Sequence, residues 1–366
     1  MLNYLSRRLP DFPWDTLADV TALAQAHPDG IVDLSVGTPV DDTPAFIQQA
    51  LAGASNAPGY PTVWGSDTLH EAVIGYLQRR WGAPGLTPKN VATAVGTKEI
   101  VGWLPTLLGL GADDLVVIPE LAYPTYEVGA VMAGTRLQRC DHPAAVAGKP
   151  ALIWINSPAN PHGHITGVAG LRDWVMFARE TGAVLASDEC YGEFGWDAEP
   201  VSVLDTRVND GDLTGLLAVF SLSKRSNMAG YRAGFVAGDE TLVQELVAVR
   251  KHLGMIVSAP VQAAMVAALG DQTHVDAQRD RYARRRRLMG DALAWAGFRI
   301  EASQGGLYLW ATRDEHGRQS VAWLAERGIL TAPGDFYGPA GTNFIRVAMT
   351  ATDERIDAAA ARLGKR

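Results

Sequence analysis

The sequence contains little cysteine, with only Cys140 and Cys190 among its 366 residues. Two cysteines provide neither a disulfide framework nor the ligand set of a zinc site, so we expect a reducing compartment and no bound metal. Long apolar runs are missing too, and the opening residues, MLNYLSRRLPDFPWD, lack the apolar core of a signal peptide. These absences predict a cytoplasmic protein without a membrane anchor.

An excess of positive charge is also lacking, since 32 basic residues face 40 acidic ones and the formal net charge is −8. Proteins that bind nucleic acid usually carry a basic excess, so the charge argues against that class. The dense basic run RRRR at 284–287 falls in a helical pattern and is interpreted as a solvated helix face. With 47% apolar residues, a chain of this length can bury one large core or two domains.

Short apolar runs rich in Val, Ile and Leu alternate with segments of helical length. The runs are Val91–Val95, Leu115–Ile118, Ala151–Ile155, Ala183–Ala186, Leu216–Phe220 and Phe235–Ala237. Runs of this kind without polar alternation predict an α/β fold, in which a mainly parallel sheet is covered by helices on both faces. The last two runs are too close for a helical crossover, so one strand there is expected to be antiparallel.

The pattern of the sequence changes after about residue 250. Helical patterns dominate there, and GGLYLWAT and TNFIRVAMT have the pattern of strands in a smaller α+β unit. The N-terminal segment shows helical and then extended signals, and it is expected to pack with that unit. We therefore predict a large domain at 38–250 and a small domain formed by 1–37 and 251–366.

Polar and aromatic side chains follow five of these strands, where a purely structural chain would need only turn residues. The segments that follow are GTKE, PELAYPTY, NSPANPHG, SDECYGEF and SLSK. Ligands of open α/β sheets bind outside the carboxyl ends of the strands. The five segments together therefore predict the site.

Each residue taken alone also has a structural interpretation. Thr97 and Asp188 could be helix caps, Asn160 a turn residue before proline, Tyr191 a core residue and Lys224 a solvated loop lysine. These interpretations remain open as long as the residues are considered one at a time. The functional interpretation is favoured over them only if one ligand requires all of these residues at once.

Pyridoxal 5′-phosphate is a ligand with such requirements. Its phosphate would bind Gly96, Thr97, Ser221 and Arg232, where backbone N–H groups, a hydroxyl and a guanidinium converge. Its aromatic ring needs a stacking partner and a carboxylate opposite the ring nitrogen, and its aldehyde needs an amine. Lys224 is the candidate for that amine.

Four segments resemble the signature segments of class I/II aminotransferases of PLP fold type I: SLSKRSNMAGYRAGF, SDECYGEF, NSPANPHG and NFIRVAMT. Their order and spacing agree from about residue 30 to the C-terminus. The resemblance implies a large domain whose mainly parallel seven-stranded sheet lies between helices, together with a smaller α+β domain. It also implies a homodimer with shared active sites.

The resemblance further implies roles for individual residues. Lys224 would bond to the cofactor, and Asp188 would pair with its ring nitrogen. Asn160 and Tyr191 would hydrogen-bond the ring hydroxyl, and Tyr123 would stack on the ring. Lys224, Asp188 and Tyr191 are the predicted catalytic residues.

Other predicted roles concern the substrate and the phosphate. Arg346 would hold the substrate α-carboxylate, with Asn160 beside it, and Gly37 would close over it. Tyr60 would reach the phosphate in the neighbouring subunit. The remaining predicted cofactor-binding residues are Gly96, Thr97, Lys98, Ser221, Ser223 and Arg232. His162 departs from the family pattern, which has threonine there, and could place a titratable group near the site.

A closer resemblance links LPDFPWDTL, HPDGIVDLSVGTPVD, IPELAYPTYEVG and APGDFYGPAG to the N-succinyldiaminopimelate aminotransferases of bacterial lysine and cell-wall precursor synthesis. It implies transfer of the amino group of N-succinyl-LL-2,6-diaminopimelate to 2-oxoglutarate. Lys98 and Arg225 are candidates to contact the distal part of such a substrate, although both could be solvated charges. The alternatives are an aspartate or aromatic aminotransferase, or a PLP-dependent C–S β-lyase of the same fold.

Two hypotheses of function from other protein classes are disfavoured. A dinucleotide-dependent dehydrogenase would need a glycine fingerprint, and GLGADD at 109–114 has Asp114 where the third glycine belongs. A PLP-binding transcription regulator would need a basic DNA-binding segment ahead of LSVGTP. Small-molecule amino acids and 2-oxo acids are therefore the expected partners.

Overall fold

The structure, a computed structural model, describes residues 4–364. Its strands, in chain order, are β1 (Val32–Asp33), β2 (Val91–Val95), β3 (Leu115–Ile118), β4 (Arg136–Arg139), β5 (Leu152–Asn156), β6 (Val184–Asp188), β7 (Leu216–Ser221), β8 (Ala233–Gly238), β9 (Arg299–Glu301), β10 (Tyr308–Thr312), β11 (Ile329–Leu330), β12 (Ala332–Pro333) and β13 (Ile345–Ala348).

The α-helices are α1 (Ala18–Gln25), α2 (Ala45–Gly53), α3 (Asp67–Trp81), α4 (Thr97–Leu107), α5 (Thr125–Ala133), α6 (Val168–Thr181), α7 (Thr206–Asn209), α8 (Leu222–Arg225), α9 (Glu240–Leu253), α10 (Ala259–Gly270), α11 (Thr273–Trp295), α12 (Gly317–Ala325) and α13 (Asp353–Arg362). Short 3-10 helices lie at Leu5–Arg7, Pro13–Leu17, Pro88–Asn90, Pro143–Ala145, Ala229–Tyr231, Gly334–Tyr337 and Pro339–Gly341. No helix within residues 4–364 is both long and apolar enough to cross a bilayer.

The large sheet has seven strands in the order β2-β8-β7-β6-β5-β3-β4. Strands β4, β3, β5, β6 and β7 pair in parallel, and β8 pairs antiparallel with both β7 and β2. The predicted mainly parallel sheet with one antiparallel strand is therefore confirmed. Strand β4, which no apolar run marked, lies at an edge and has the polar sequence RLQR.

The two faces of this sheet are buried by different helices, and alternate residues of each strand enter different cores. Leu216 and Phe220 of β7 pack with residues of α3, α6 and α10, whereas Leu217 and Val219 pack with residues of α4, α5 and α9. Successive side chains of a strand point to opposite faces, so an unbroken apolar run is what this environment requires. Helix α10 thus contributes to the core of the large sheet.

A smaller sheet has the order β12-β13-β10-β9 and is antiparallel throughout. Helices α11, α12 and α13 pack with it in a separate apolar cluster. The N-terminal segment joins this unit, because Val32 and Asp33 of β1 pair in parallel with β11. The division at 38–250 stays a prediction, and residues 1–3 and 365–366 of the predicted small domain lie outside the described residues.

The basic run on α11 is only partly solvated. Arg285 is buried, and it donates hydrogen bonds to Asp41 at 2.7 Å and, through Nε, to Asp353 at 2.7 Å. Arg284 and Arg286, in contrast, pair with carboxylates at the surface. The interpretation of the whole run as a solvated face was therefore wrong for Arg285. Its buried charge is paired with Asp41, which is too distant in sequence for the local pattern to reveal.

Candidate active site

A cavity of about 1230 Å³ lies between the carboxyl ends of the parallel strands and the smaller sheet. Most of the predicted site residues line it, although they come from distant parts of the chain. They are Gly37, Thr97, Lys98, Tyr123, Asn160, Asp188, Tyr191, Ser221, Ser223, Lys224, Arg232 and Arg346. Gly96 and Tyr60 do not line it, although Gly96 lies against the lining residue Arg232.

Lys224 is placed by the turn from β7 into the short helix α8. Ser221 begins this helix, and its hydroxyl accepts a hydrogen bond from the backbone N–H of Ser223 at 3.1 Å. The Lys224 ammonium donates to the carbonyl oxygen of Gly37, and burial lowers the pKa of Lys224. A lowered pKa increases the share of neutral amine, which is the form that attacks an aldehyde.

Asp188 ends strand β6 with its carboxylate inside the cavity wall. Tyr126 donates its hydroxyl to Asp188 Oδ2 at 2.7 Å, and the backbone N–H of Cys190 donates to Oδ1 at 3.2 Å. Burial raises the pKa of Asp188, and within residues 4–364 no Lys, Arg or His forms an ion pair with it. A buried carboxylate that lacks a cation is suited to a protonated ring nitrogen.

The site that suits a phosphate lies at the start of α4. Gly96 has φ +69°, and a side chain at this position would collide with the guanidinium of Arg232. Arg232 donates to the carbonyl of Ala229 at 2.9 Å and has no carboxylate partner in the described part of the chain. A helix N-terminus beside an unpaired guanidinium is a favourable place for an anion.

A second cation that lines the cavity, Arg346, has no carboxylate partner within residues 4–364. Arg346 on β13 is only 2% exposed, and it donates to Asn160 Oδ1 at 2.8 Å and to the carbonyl of Ser35 at 2.7 Å. Its guanidinium lies over the ring of Tyr308, 4.0 Å from the centroid, and its Nε has no partner among the described residues. A buried guanidinium with a free donor is suited to a carboxylate ligand.

Three tyrosines, Tyr123, Tyr191 and Tyr308, also line the cavity. The hydroxyls of Tyr191 and Tyr308 are 2.8 Å apart, and burial raises the pKa of Tyr191 well above its ordinary value. Gly37 lies so close to Tyr308 that a side chain at 37 would collide with its ring. Tyr123 lies edge-on to Tyr126, with 6.0 Å between the ring centroids. The cavity wall is thus aromatic between its anionic and cationic groups.

Three residues that the sequence analysis placed at or near the site do not line the cavity. Tyr60 is fully exposed and does not line the cavity of its own chain. His162 does not line the cavity, and burial lowers its pKa to about 4, so its ring is neutral at neutral pH. Arg225 is buried behind the site and pairs with Glu193, so it is not available to a substrate.

Three residues that line the cavity or contact its lining were not predicted from the sequence. Tyr126 supports Asp188, Tyr308 contacts Arg346 and Tyr191, and the thiol of Cys190 donates to Thr97 Oγ1 at 3.2 Å. A signal existed for Tyr126, which follows Tyr123 by about one helical turn. Nothing in the strand pattern of GGLYLWAT marked Tyr308.

The sequence profile of the family described as Aminotransferase class I and II matches residues 29–363. The chain belongs to this family. Members of the family depend on pyridoxal phosphate, and the donor set described above fits that group: an amine, a carboxylate without a cation and an anion seat. The aminotransferase is thus PLP-dependent, and the predictions of family, fold, enzyme class and cofactor are confirmed.

Individual relatives agree with the family. The aminotransferase is 62% identical over 360 residues to a probable aminotransferase of Mycobacterium tuberculosis, covering 98% of this chain and 86% of the relative. It is 55% identical over 358 residues to the 4-dedimethylamino-4-oxo-anhydrotetracycline transaminase OxyQ of Streptomyces rimosus, covering 98% and 99%.

Solved structures share the fold. A probable N-succinyldiaminopimelate aminotransferase from Thermus thermophilus superposes with a TM-score of 0.87 at 27% identity, covering 96% of this chain and 99% of that one. The named reactions differ among these relatives, so the comparisons establish an aminotransferase that acts on amino acids and 2-oxo acids without fixing its substrate.

Proposed function

We propose that this aminotransferase transfers an amino group between N-succinyl-LL-2,6-diaminopimelate and 2-oxoglutarate, as a step of lysine and diaminopimelate synthesis. The observation that carries the proposal is a single cavity that holds a cationic seat for an α-carboxylate, Arg346, and extends outward to further cations. The resemblance of LPDFPWDTL and APGDFYGPAG to that family supports it, as does the similarity to the Thermus thermophilus protein.

We assign the cofactor end of the cavity as follows. Arg232, Ser221 and the N-terminus of α4 would hold the phosphate, and Asp188 would hold a proton on the ring nitrogen. Bound pyridoxal phosphate supplies the aldehyde and an electron-accepting ring. Lys224 would hold the aldehyde and, as a free amine, would move the proton at the substrate Cα.

The outer end of the cavity supports an acidic substrate. Arg139 and Arg318 line it, and each pairs with a carboxylate: Glu127 at 2.7 Å and Asp335 at 2.6 Å. Lys98 also lines it and has no carboxylate partner within residues 4–364. The substrate carries carboxylates beyond its α-carboxylate, and an unpaired cation at the mouth is suited to one of them.

Replacement of Lys98 by methionine tests this assignment. We expect KM for N-succinyl-LL-2,6-diaminopimelate to rise roughly 10- to 100-fold, because a hydrogen bond to a charged group contributes about 1.5–3 kcal/mol. The KM for alanine, which has no distal carboxylate, should stay the same. Lys149→Met is the control, since Lys149 is an exposed lysine away from the cavity. Equal effects on both donors would contradict the assignment.

The similarity to OxyQ favours a second candidate, in which a keto group on a fused-ring compound accepts the amino group. The large cavity and its aromatic wall of Tyr123, Phe12 and Trp14 would suit such rings. Nothing in this arrangement requires the free charge of Lys98. The two candidates therefore predict different responses to a change of distal charge.

The deciding experiment compares kcat/KM for five donors with 2-oxoglutarate as the acceptor: N-succinyl-LL-2,6-diaminopimelate, LL-2,6-diaminopimelate, aspartate, phenylalanine and cystathionine. We expect the succinylated donor to be preferred. Preference for aspartate or phenylalanine would overturn the proposed substrate but leave the aminotransferase class intact. Release of pyruvate from cystathionine without an acceptor would reveal β-lyase activity. A 4-oxo-anhydrotetracycline acceptor, tested with glutamate as the donor, covers the second candidate.

We also propose a homodimer with shared sites, because Tyr60 is fully exposed in one chain. In the dimer its hydroxyl would reach the phosphate held by the partner subunit. Tyr60→Phe should weaken cofactor retention. Mixing Tyr60→Ala with Lys224→Ala subunits should restore activity, since each hybrid contains one site with both native residues. Activity that stays at the parental level, although labelled subunits exchange, would exclude a shared site.

A further inference from the structure

A buried ion pair joins the two segments that carry Asp188 and Lys224. Glu193 follows β6 shortly after Asp188, and Arg225 is the next residue after Lys224. The Nε of Arg225 donates to Glu193 Oε1 at 3.1 Å, and both side chains are almost completely excluded from solvent. The pair lies behind the cavity and does not line it.

The guanidinium of Arg225 is held on every side. Its remaining nitrogens donate to Ser226 Oγ at 3.2 Å, the carbonyl of Ala268 at 2.7 Å, the carbonyl of Asp271 at 3.2 Å and Gln272 Oε1 at 3.1 Å. All four of these acceptors are neutral groups. Within residues 4–364, Glu193 is therefore the one carboxylate that forms an ion pair with Arg225. A guanidinium that uses all its donors has a fixed orientation.

Glu193 is less dependent on this one contact. Its Oε2 accepts from Arg80 Nε at 3.0 Å, and Tyr76 donates its hydroxyl to Oε1 at 2.9 Å. Burial would raise the pKa of Glu193, but the charges of Arg225 and Arg80 outweigh burial and hold the pKa below its ordinary value. Arg80 and Tyr76 belong to α3, which carries none of the predicted site residues.

The segment after Lys224 has one more support. His274 Nε2 lies 2.9 Å from Ser226 Oγ, and its Nδ1 lies 2.6 Å from Asp271 Oδ1. This order of side chains resembles that of a nucleophilic triad, but Ser226 is 1% exposed and does not line the cavity, so no substrate reaches it. The contact instead fixes Ser226, and through it Arg225.

We propose that Glu193 and Arg225 are positioning residues, whose ion pair sets the spacing between Asp188 and Lys224 in the catalytic cavity. The proposal rests on the catalytic roles proposed for Asp188 and Lys224, and it does not depend on the identity of the substrate. The pair does not line the cavity, and it acts only by holding the two strand ends in register. Two elements that each carry one group of the proton-transfer step must stay aligned to a fraction of an ångström.

The test compares Arg225→Met and Glu193→Gln with Arg80→Met. Arg225→Met and Arg80→Met each remove one cationic partner of the Glu193 carboxylate, and Glu193→Gln removes its charge. Of the three, only the Arg80 variant leaves the ion pair between the catalytic segments intact. With glutamate and 2-oxoglutarate, kcat should fall about 10- to 100-fold in the first two variants, as small misplacements of reacting groups do. The KM for glutamate, which Arg346 would hold, should change less than about threefold. Arg80→Met should retain near-normal kcat.

Two further readouts separate positioning from general destabilisation. The pH at which the visible absorbance of the cofactor-loaded enzyme changes should shift in Arg225→Met and Glu193→Gln but not in Arg80→Met, because the environment of Lys224 changes only in the first two. Melting temperatures of the cofactor-free forms report stability separately. Arg225→Lys should recover part of the lost kcat, since an ammonium can still pair with Glu193.

Equal kcat losses in the Arg80 and Arg225 variants, after both are shown to be folded and fully loaded, would overturn the proposal. An unshifted absorbance titration in Glu193→Gln would also overturn it. If Arg225→Met does not fold, the proposal is tested with Glu193→Gln and Arg225→Lys, by the same measurements of kcat and of the absorbance titration. Failure of wild-type protein to transaminate glutamate at all would instead count against the proposed roles of Asp188 and Lys224.

Discussion

Replacement of Lys224 by alanine should remove nearly all transamination, with kcat lower by roughly 10²–10⁴-fold or more, the range that a positioned acid–base group contributes. Lys224 is the one lysine besides Lys98 that lines the described cavity, and Lys98 lies exposed at its mouth, over the ring of Phe12. No second amine is therefore placed to replace it. The variant should also lose the visible absorbance that comes from the bond between lysine and cofactor.

The matched control for this variant is Lys89→Ala. Lys89 is an exposed lysine that pairs with Glu240 at 3.1 Å, away from the cavity, so its removal should leave kcat and absorbance unchanged. Purified Lys224→Ala protein that transaminates at the normal rate would contradict the role of Lys224. Restoration of part of the activity by added methylamine would support it, because a small amine could act as the missing base.

Asp188→Asn should give the second-largest loss, with the Cα proton transfer slowed by roughly 10²–10⁴-fold in single turnovers with glutamate. The amide keeps the shape of the side chain and can still accept from Tyr126, but it carries no charge to hold a proton on the ring nitrogen. Asp197→Asn is the control, since Asp197 pairs with Arg286 near the surface. Unchanged single-turnover kinetics in Asp188→Asn would exclude the proposed role.

The same variant has a predictable effect on the stability of the cofactor-free protein. Burial raises the pKa of Asp188 in the folded state above its ordinary value. The protonated form is therefore favoured by folding, and its contribution to stability is lost as pH rises from the unfolded pKa through the folded one. Asp188→Asn should remove this loss, so the free energy of unfolding of the variant should fall less than that of the wild type as pH rises through this range. Urea titrations at several pH values measure it.

The parallel part of the sheet was predictable because each of its buried strands packs against an apolar core on both faces. Such a strand is an unbroken apolar run in the sequence. Strand β4 was not predicted, because an edge strand does not need to be apolar on both faces. Its sequence RLQR contains no apolar run that would mark a strand. The antiparallel strand β8 was predictable from chain length alone, because too few residues separate it from β7 for a crossover.

The site was predictable where the chain must place a reactive group at a strand end. Asp188 and Lys224 stand at the carboxyl ends of β6 and β7, where the sequence changes abruptly from apolar to polar. The partners of these groups were harder to predict, because contacts such as Tyr126 with Asp188 depend on distances that no local pattern encodes. Arg225 is the clearest case, since only the fold shows that its cation is buried against Glu193.

We propose that one cavity combines a cofactor-binding site at Lys224, Asp188 and Arg232 with a carboxylate-binding site at Arg346. A crystal structure of the protein grown with pyridoxal phosphate, then soaked with N-succinyl-LL-2,6-diaminopimelate, tests it most directly. We expect density from Lys224 to the cofactor before soaking, Asp188 at hydrogen-bond distance from the ring nitrogen, and the substrate α-carboxylate on Arg346. Cofactor density elsewhere, or a substrate carboxylate that avoids Arg346, would contradict it.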